Sequence, residues 1–127
     1  MSSQRRGHPE ADLQRSVVET LRLVLRPPFV VSATINEVRM GGREGRIAQG
    51  IAIGMGIHPG FPDVTVLQDG RVLFMELKTP DGVLSKEQKE FRNFALDEGH
   101  GWTLVRSLDE ALEAVKLFHL KTRIRNG

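Results

Sequence analysis

The segment from Gly60 to Lys78 decides the fold and reads GFPDVTVLQDGRVLFMELK. Its Asp69-Gly70 pair separates two runs rich in apolar residues. An Asp-Gly pair in that position is typical of a two-residue β-hairpin loop, in which both residues adopt positive φ. A loop at these two residues pairs Gln68 with Arg71. The sequence therefore predicts a β-hairpin with this register.

The predicted register places two carboxylates side by side. Counting outwards from the loop puts Asp63 opposite Glu76, and opposed residues on one face of a sheet have Cβ atoms about 4.5–5.5 Å apart. Lys78 follows Glu76 by two residues and therefore lies on the same face. Two negative charges this close are unfavourable unless a cation or a proton holds them together. The hairpin is therefore a candidate site for Mg²⁺ or Mn²⁺, which prefer oxygen ligands.

The composition is that of an ordinary globular domain. The chain has 127 residues, of which 39% are hydrophobic and 27% charged. We expect one domain over residues 1–127, with a core from about 10 to 118 and a basic tail over 119–127 that frays from Lys121. Cysteine is absent and the four histidines show no paired metal spacing, so a zinc site is disfavoured. No apolar run is long enough to span a membrane and no signal peptide is evident, so we expect a cytoplasmic protein.

Basic residues are clustered although the formal net charge is only +2. The clusters are 5–6, 39–46 and 121–125. Such clusters suit phosphate backbones, but each one taken singly is equally well explained as a solvated terminus or loop. Arg43 and Arg46 are the better candidates for phosphate contacts, because they lie in a glycine-rich stretch between predicted strands.

The rest of the chain predicts an α/β layer structure. Pro9 and the spacing of apolar residues indicate a first helix, and two Ser-x-x-Gln/Glu capping boxes indicate two later ones. Both faces of the hairpin carry apolar residues, so we expect helices on both sides of the sheet. The expected elements are helix 10–26, a buried strand 29–35, a short helix within 40–56, hairpin 63–78, helix 85–98, strand 102–105 and helix 108–118.

The chain resembles the PD-(D/E)XK nuclease superfamily, whose signature matches Pro62-Asp63 followed by Glu76-Leu77-Lys78. It is similar more specifically to the VRR-NUC branch of that superfamily. The further points of likeness are 10–14 in the first helix, Asn36 after the first strand, 60–63, and 82–85 leading to Gln88. The resemblance extends from about Glu10 to Phe118.

This resemblance implies a restriction-endonuclease-like fold with a small mixed sheet flanked by helices. It also implies an enzyme that hydrolyses DNA phosphodiester bonds with Mg²⁺ or Mn²⁺. Stand-alone members of the branch look like homodimeric resolvases of branched DNA such as Holliday junctions, of phage or bacterial origin. Three alternatives stay open: a non-catalytic nuclease-fold module that binds DNA or a protein, the same chemistry acting on RNA, and a structural domain with a surface Asp-Glu-Lys cluster.

The resemblance also implies roles for the residues of the hairpin. Asp63 and Glu76 match the metal ligands, and the Leu77 carbonyl matches a third contact. Lys78 matches the catalytic lysine. A compact ammonium beside carboxylates stays protonated, so we expect Lys78 to act electrostatically rather than as a general base.

Four residues outside the hairpin are further candidates. Glu10 matches the family's first-helix acid and metal ligand, and we prefer it to Glu19, whose spacing to neighbouring arginines is typical of a solvated helix face. Gln88 matches an active-site position, although its capping box already explains it structurally. Gln14 and Asn36 are candidates for lining the site and contacting DNA, although an amide that satisfies backbone groups is the simpler account of each.

Overall fold

The structure is a computed structural model that describes residues 9–34 and 42–123. The elements are α1 (Pro9–Val24), β1 (Val30–Ala33), α2 (Gly42–Gly54), β2 (Val64–Gln68), β3 (Arg71–Leu77), α3 (Lys86–Asp97), β4 (Gly101–Val105) and α4 (Leu108–Leu117). The predicted order of elements is confirmed, and α2 is a helix of 13 residues where a short one was expected. The four strands form one sheet in the order β1-β2-β3-β4.

The hairpin has the predicted register. Gln68 pairs with Arg71 and Val64 pairs with Met75 across the antiparallel strands β2 and β3. Asp69 has φ 52 and Gly70 has φ 75, which are the positive values that a two-residue hairpin loop requires. On its other side β3 runs parallel to β4, whereas β1 pairs antiparallel with β2.

Helices cover both faces of the sheet, as the apolar pattern of the hairpin predicted. On one face, the alternate residues Val64, Val66, Leu73 and Met75 pack with α1 and α4 in the main core. On the other face, a smaller cluster centred on Phe74 packs against α3. The hairpin therefore lies between two layers of helix, and its carboxylates belong to the face that α3 covers.

The two predicted capping boxes differ in the structure. At α3 the box is complete: Ser85 Oγ accepts from Gln88 N, and Gln88 Oε1 accepts from Ser85 N. At α4, Ser107 Oγ accepts from Glu110 N, but Glu110 Oε1 accepts from the N–H of Arg106 instead of that of Ser107. The start of α4 is therefore linked to Arg106, the residue that follows β4.

The first strand is shorter and more exposed than the sequence predicts. Val30–Ala33 forms the strand, and only Val31 in it is buried. The expectation of a buried strand over 29–35 is wrong for the described part, because β1 lies at the edge of the sheet and Val30 is 52% exposed. Ile35 lies outside the described residues.

The chain after α4 is held in place up to Arg123, contrary to the expected fraying from Lys121. Leu120 is buried in the main core, and Arg123 N donates to Val24 O at 2.8 Å. The buried amide of Gln68 accepts from Lys121 N at 2.8 Å and donates to Lys121 O at 3.0 Å. The same amide donates to Arg26 O at 2.9 Å. The sequence did not signal this, because a lone glutamine in a strand gives no indication of its partners.

Within the described residues, no helix combines the length and apolar character needed to cross a lipid bilayer.

Candidate active site

The two hairpin carboxylates lie next to each other in the interior. Asp63 is 9% exposed and Glu76 is 2% exposed. Asp63 is fixed to both neighbouring strands: its Oδ2 accepts from Leu77 N at 2.8 Å, and its carbonyl accepts from Thr34 N at 2.8 Å. The side chain of Asp63 is therefore aimed along β3 towards Glu76.

The residues before Asp63 place it against α3. Gly60 has φ +79, and a Cβ added there would collide with the carbonyl group of Glu87 at the start of α3. Phe61 packs edge-on against Phe74, with ring centroids 5.7 Å apart, and against Phe91, with centroids 5.1 Å apart. The Gly-Phe-Pro-Asp segment is therefore a loop that packs against α3. The backbone of Gly60 approaches the helix closely, and the ring of Phe61 packs against Phe91.

Gln88 does two things at once. Its Oε1 completes the capping box by accepting from Ser85 N at 2.8 Å. Its Nε2 donates to Oε2 of Glu76 at 3.0 Å. The structural interpretation of Gln88 is therefore confirmed, and the same amide also contacts Glu76, because it has an acceptor at one end and a donor at the other. Its active-site role stays a prediction.

The pKa of Glu76 is raised from its ordinary value of 4.5 to about 9. Burial is the largest cause, followed by a hydrogen bond to Asp63 and by the negative charge of Asp63. The positive charge of Lys78 acts in the opposite direction, and the negative charge of Glu10 adds a smaller increase. Four predicted site residues therefore lie within electrostatic reach of one another.

The carboxylate oxygens of Asp63 and Glu76 fit a divalent cation in one specific respect. Oε1 of Glu76 is buried and receives no hydrogen bond from the described part of the chain. A buried carboxylate oxygen without a donor is costly unless a proton or a cation satisfies it. Across residues 9–34 and 42–123, no three His, Cys, Asp or Glu side chains are grouped as a metal cluster. Asp63 and Glu76 would thus hold a cation together with backbone or water oxygens.

Lys78 is placed by the sheet. Its N–H donates to Val105 O at 3.0 Å, which continues the β3–β4 ladder by one residue. Its side chain is half-buried, and its charge lowers the pKa of Glu76, so the ammonium lies on the side of the acidic pair. This agrees with the predicted alternation from Glu76 to Lys78.

The remaining candidates are placed as follows. Glu10 is half-buried in the first turn of α1. Gln14 makes a long hydrogen bond from Nε2 to Thr34 O, at 3.4 Å, so its amide satisfies a backbone group. Arg43 and Arg46 are exposed on the first two turns of α2 and remain candidates for phosphate contacts. Asn36 lies outside the described residues.

One residue near the site was not singled out from the sequence. Arg106 follows β4 directly and reaches the turn after Lys78, where its Nη1 donates to Thr79 O at 2.7 Å. An arginine at the end of a strand has no spacing motif that would reveal such a contact. Only the parallel pairing of β3 with β4 brings the two segments together.

Comparison with known proteins gives the fold. No protein-family model matches the chain, and no curated protein matches it. A solved structure described as a "VRR_NUC domain protein" matches with a TM-score of 0.67 and 17% identity, over 92% of this chain and 93% of that one. A second, described as a "VRR_NUC domain", matches with a TM-score of 0.57 and 18% identity, over 87% of this chain and 97% of that one. The chain therefore has the fold of these VRR_NUC domains, a mixed sheet flanked by helices, as the resemblance in its sequence predicted.

Proposed function

We propose that the protein is a metal-dependent nuclease that hydrolyses DNA phosphodiester bonds. The observation that carries this proposal is the buried acidic pair at the end of the hairpin, where Oε1 of Glu76 receives no hydrogen bond from residues 9–34 and 42–123 and Lys78 lies within electrostatic reach. A buried pair of carboxylates destabilises a fold unless a cation or a proton holds it together, so its presence favours a binding role. The adjacent lysine favours an anionic substrate.

The side chains of this site have separable roles in the proposed reaction. Asp63 and Glu76, with the Leu77 carbonyl, would hold Mg²⁺ or Mn²⁺, and Glu10 would contribute negative charge from α1. When bound, such a cation supplies positive charge to the phosphate and activates water for attack. Gln88 fixes one oxygen of Glu76 through its hydrogen bond. Lys78 would stabilise the negative charge that develops on the phosphate oxygens.

A cleavage panel tests the activity. Purified protein with Mn²⁺ or Mg²⁺ is given single-stranded, duplex, flap and four-way-junction DNA, together with matched RNA. We expect DNA cleavage that EDTA abolishes and that Lys78→Ala and Glu76→Ala lower by about 100-fold or more. Lys116→Ala is the matched control, because Lys116 is an exposed lysine of α4 outside the site. If neither DNA nor RNA is cleaved, the proposed enzyme is wrong; if RNA alone is cleaved, the proposed DNA substrate is wrong.

We further propose that the enzyme is a homodimer acting on branched DNA such as Holliday junctions, in the cytoplasm of a bacterium or a phage-infected cell. A symmetric dimer would present two active sites, one to each of two DNA strands. Ile47 and Ile51 on α2 and Met55 just after it are exposed apolar residues spaced four apart, and this stripe would pair with its copy in a second chain.

Light scattering tests the dimer. We expect a dimeric mass for the wild-type protein and a monomeric mass for Ile51→Glu. Leu23→Glu is the matched control, since Leu23 is an exposed apolar residue of α1 outside the stripe. A wild-type monomer, both free and with a four-way junction, contradicts the dimer without affecting the proposed chemistry.

A further inference from the structure

The turn that follows Lys78 is held by the arginine at the end of β4. Gly82 N donates to Thr79 O at 3.0 Å, which closes the turn. Nη1 of Arg106 donates to the carbonyls of Thr79 at 2.7 Å, Pro80 at 3.1 Å and Gly82 at 2.8 Å. Three carbonyl groups of one short turn therefore converge on a single guanidinium nitrogen.

This turn lies against the side chain of Lys78. A Cβ added to Gly82 would lie 3.2 Å from Cδ of Lys78 and 3.4 Å from its Cβ. The backbone of the turn thus packs along the aliphatic stem of the lysine, and its position limits the rotamers that the stem can adopt.

Arg106 is itself fixed in place. Its backbone N–H donates to Oε1 of Glu110 at 2.6 Å, at the start of α4. The preceding residue, Val105, accepts from Lys78 N at 3.0 Å. The arginine is therefore tied to α4 and to β3 through neighbouring backbone groups, and its planar charged group provides a rigid donor to the turn.

We propose that Arg106 is a positioning residue, which holds the turn over Thr79–Gly82 against the stem of Lys78 and so keeps the lysine ammonium beside Asp63 and Glu76. The inference rests on the proposed function, because the position of the ammonium affects a rate only if Lys78 takes part in a reaction. Without Arg106, the turn keeps its own Gly82–Thr79 hydrogen bond but loses its link to β4. A displacement of about 1 Å in a catalytic group lowers a rate by as much as about 100-fold.

The test compares Arg106→Met with Arg71→Met. Arg71 is a matched control, because its Nη1 also donates to a backbone carbonyl, that of Phe118 at 2.9 Å, at the other end of β3. The first measurement is independent of activity: the NMR order parameter at Cε of Lys78 and the exchange rate of the Gly82 amide. In Arg106→Met we expect a lower order parameter and exchange about tenfold faster, with neither changed in Arg71→Met.

The second measurement is cleavage kinetics at saturating metal. We expect Arg106→Met to lower kcat by about 10- to 100-fold with little change in KM. Arg106→Lys retains a cationic donor and should restore part of kcat. If Arg106→Met does not fold, Gly82→Ala disturbs the same contact from the turn side and should lower kcat in the same way.

Three outcomes overturn the inference: an unchanged order parameter at Lys78, faster Gly82 exchange with unchanged kcat, or equal losses in Arg71→Met. If the wild-type protein cuts no nucleic acid, the proposed function fails, and the order parameter alone still decides whether Arg106 positions Lys78.

Discussion

Gln88 joins the start of α3 to the buried carboxylate of Glu76, since its Nε2 donates to Oε2 of Glu76 at 3.0 Å while its Oε1 accepts from Ser85 N at 2.8 Å. One amide therefore both caps a helix and orients an acidic group of the site. Substitutions can separate the loss of the helix cap from the loss of the contact with Glu76, because Ser85 is the second member of the capping box and can be changed on its own.

Ser85→Ala and Gln88→Leu separate these two roles. Ser85→Ala removes the hydroxyl acceptor but keeps the Ser85 N–H, which donates to Gln88 Oε1. Gln88→Leu removes both hydrogen bonds of the amide, the one to Ser85 N and the one to Glu76 Oε2. We expect each to lower the free energy of unfolding by about 1 kcal/mol, and only Gln88→Leu to lower cleavage, by about tenfold or more. Urea unfolding and single-turnover kinetics measure the two effects. Equal losses of activity in the two variants would show that Gln88 acts only as a cap.

The raised pKa of Glu76 makes the stability of the metal-free protein depend on pH. The folded state holds this proton up to about pH 9, whereas the unfolded chain releases it near 4.5. The folded state therefore binds more protons in this window, and the free energy of unfolding falls as the pH rises through it. Relative to Glu76→Gln, we expect the wild-type protein to lose on the order of 1 kcal/mol per pH unit.

Urea unfolding in EDTA at about pH 5, 7 and 9 measures this difference between wild type and Glu76→Gln. A difference that does not change with pH would mean that Glu76 is ionised in the folded protein. Asp69→Asn is a control, because Asp69 is exposed at the tip of the hairpin.

The affinity for Mn²⁺ should rise with pH, whereas the stability of the metal-free protein falls. A cation held by Asp63 and Glu76 displaces the proton that Glu76 carries, so its apparent affinity should rise by up to about tenfold per pH unit below pH 9. Calorimetric titration in two buffers of different ionisation enthalpy counts the protons released. Binding without proton release would contradict a shared site for the proton and the cation. Asp63→Asn should abolish the rise of Mn²⁺ affinity with pH.

Gly60 should tolerate substitution less well than Gly70. Both have positive φ, +79 and +75, but a Cβ at Gly60 would collide with the carbonyl group of Glu87, whereas nothing lies within 4 Å of a Cβ at Gly70. We expect Gly70→Ala to cost about 1 kcal/mol from backbone strain, and Gly60→Ala to cost about 2 kcal/mol or more, since α3 must move. Urea unfolding compares them, and equal costs would mean that the contact with α3 relaxes freely.

The segment after α4 should contribute to stability through Gln68. Gln68→Leu leaves Lys121 N and O and Arg26 O without their side-chain partner, which we expect to cost about 2 kcal/mol. Lys121→Ala removes only the exposed ion pair between Lys121 Nζ and Asp69 Oδ2, 3.0 Å apart, and should cost less than about 1 kcal/mol. Denaturation of the two variants checks this. A small cost for Gln68→Leu would show that the amide contributes little to holding the segment.

The parts of the fold that local patterns govern were predictable from the sequence. The Asp69-Gly70 turn and the period of two in the strands are sufficient to fix the register of the hairpin, and this register places Asp63 beside Glu76. The capping box likewise fixed the start of α3. Each of these features depends on residues at most a few positions apart, or on one turn that relates them.

The parts that depend on how distant segments meet were not predictable. The exposure of β1 follows from its place at the sheet edge, which its apolar composition does not reveal. The anchoring of 121–123 depends on Gln68, 53 residues away in sequence, and the link from Arg106 to Thr79 spans 27. The part of the prediction that concerns DNA contacts at Arg43 and Arg46 still awaits experiment.

The site residues are held largely by backbone groups: the Leu77 N–H on Asp63, the Ser85 N–H on Gln88 and the turn carbonyls on Arg106. Every amino acid except proline supplies the same N–H and carbonyl, so most of the surrounding side chains are free to change during evolution without altering the geometry of the site. Relatives of this protein should therefore be sought by a few spaced positions in the hairpin and the start of α3, and not by overall identity.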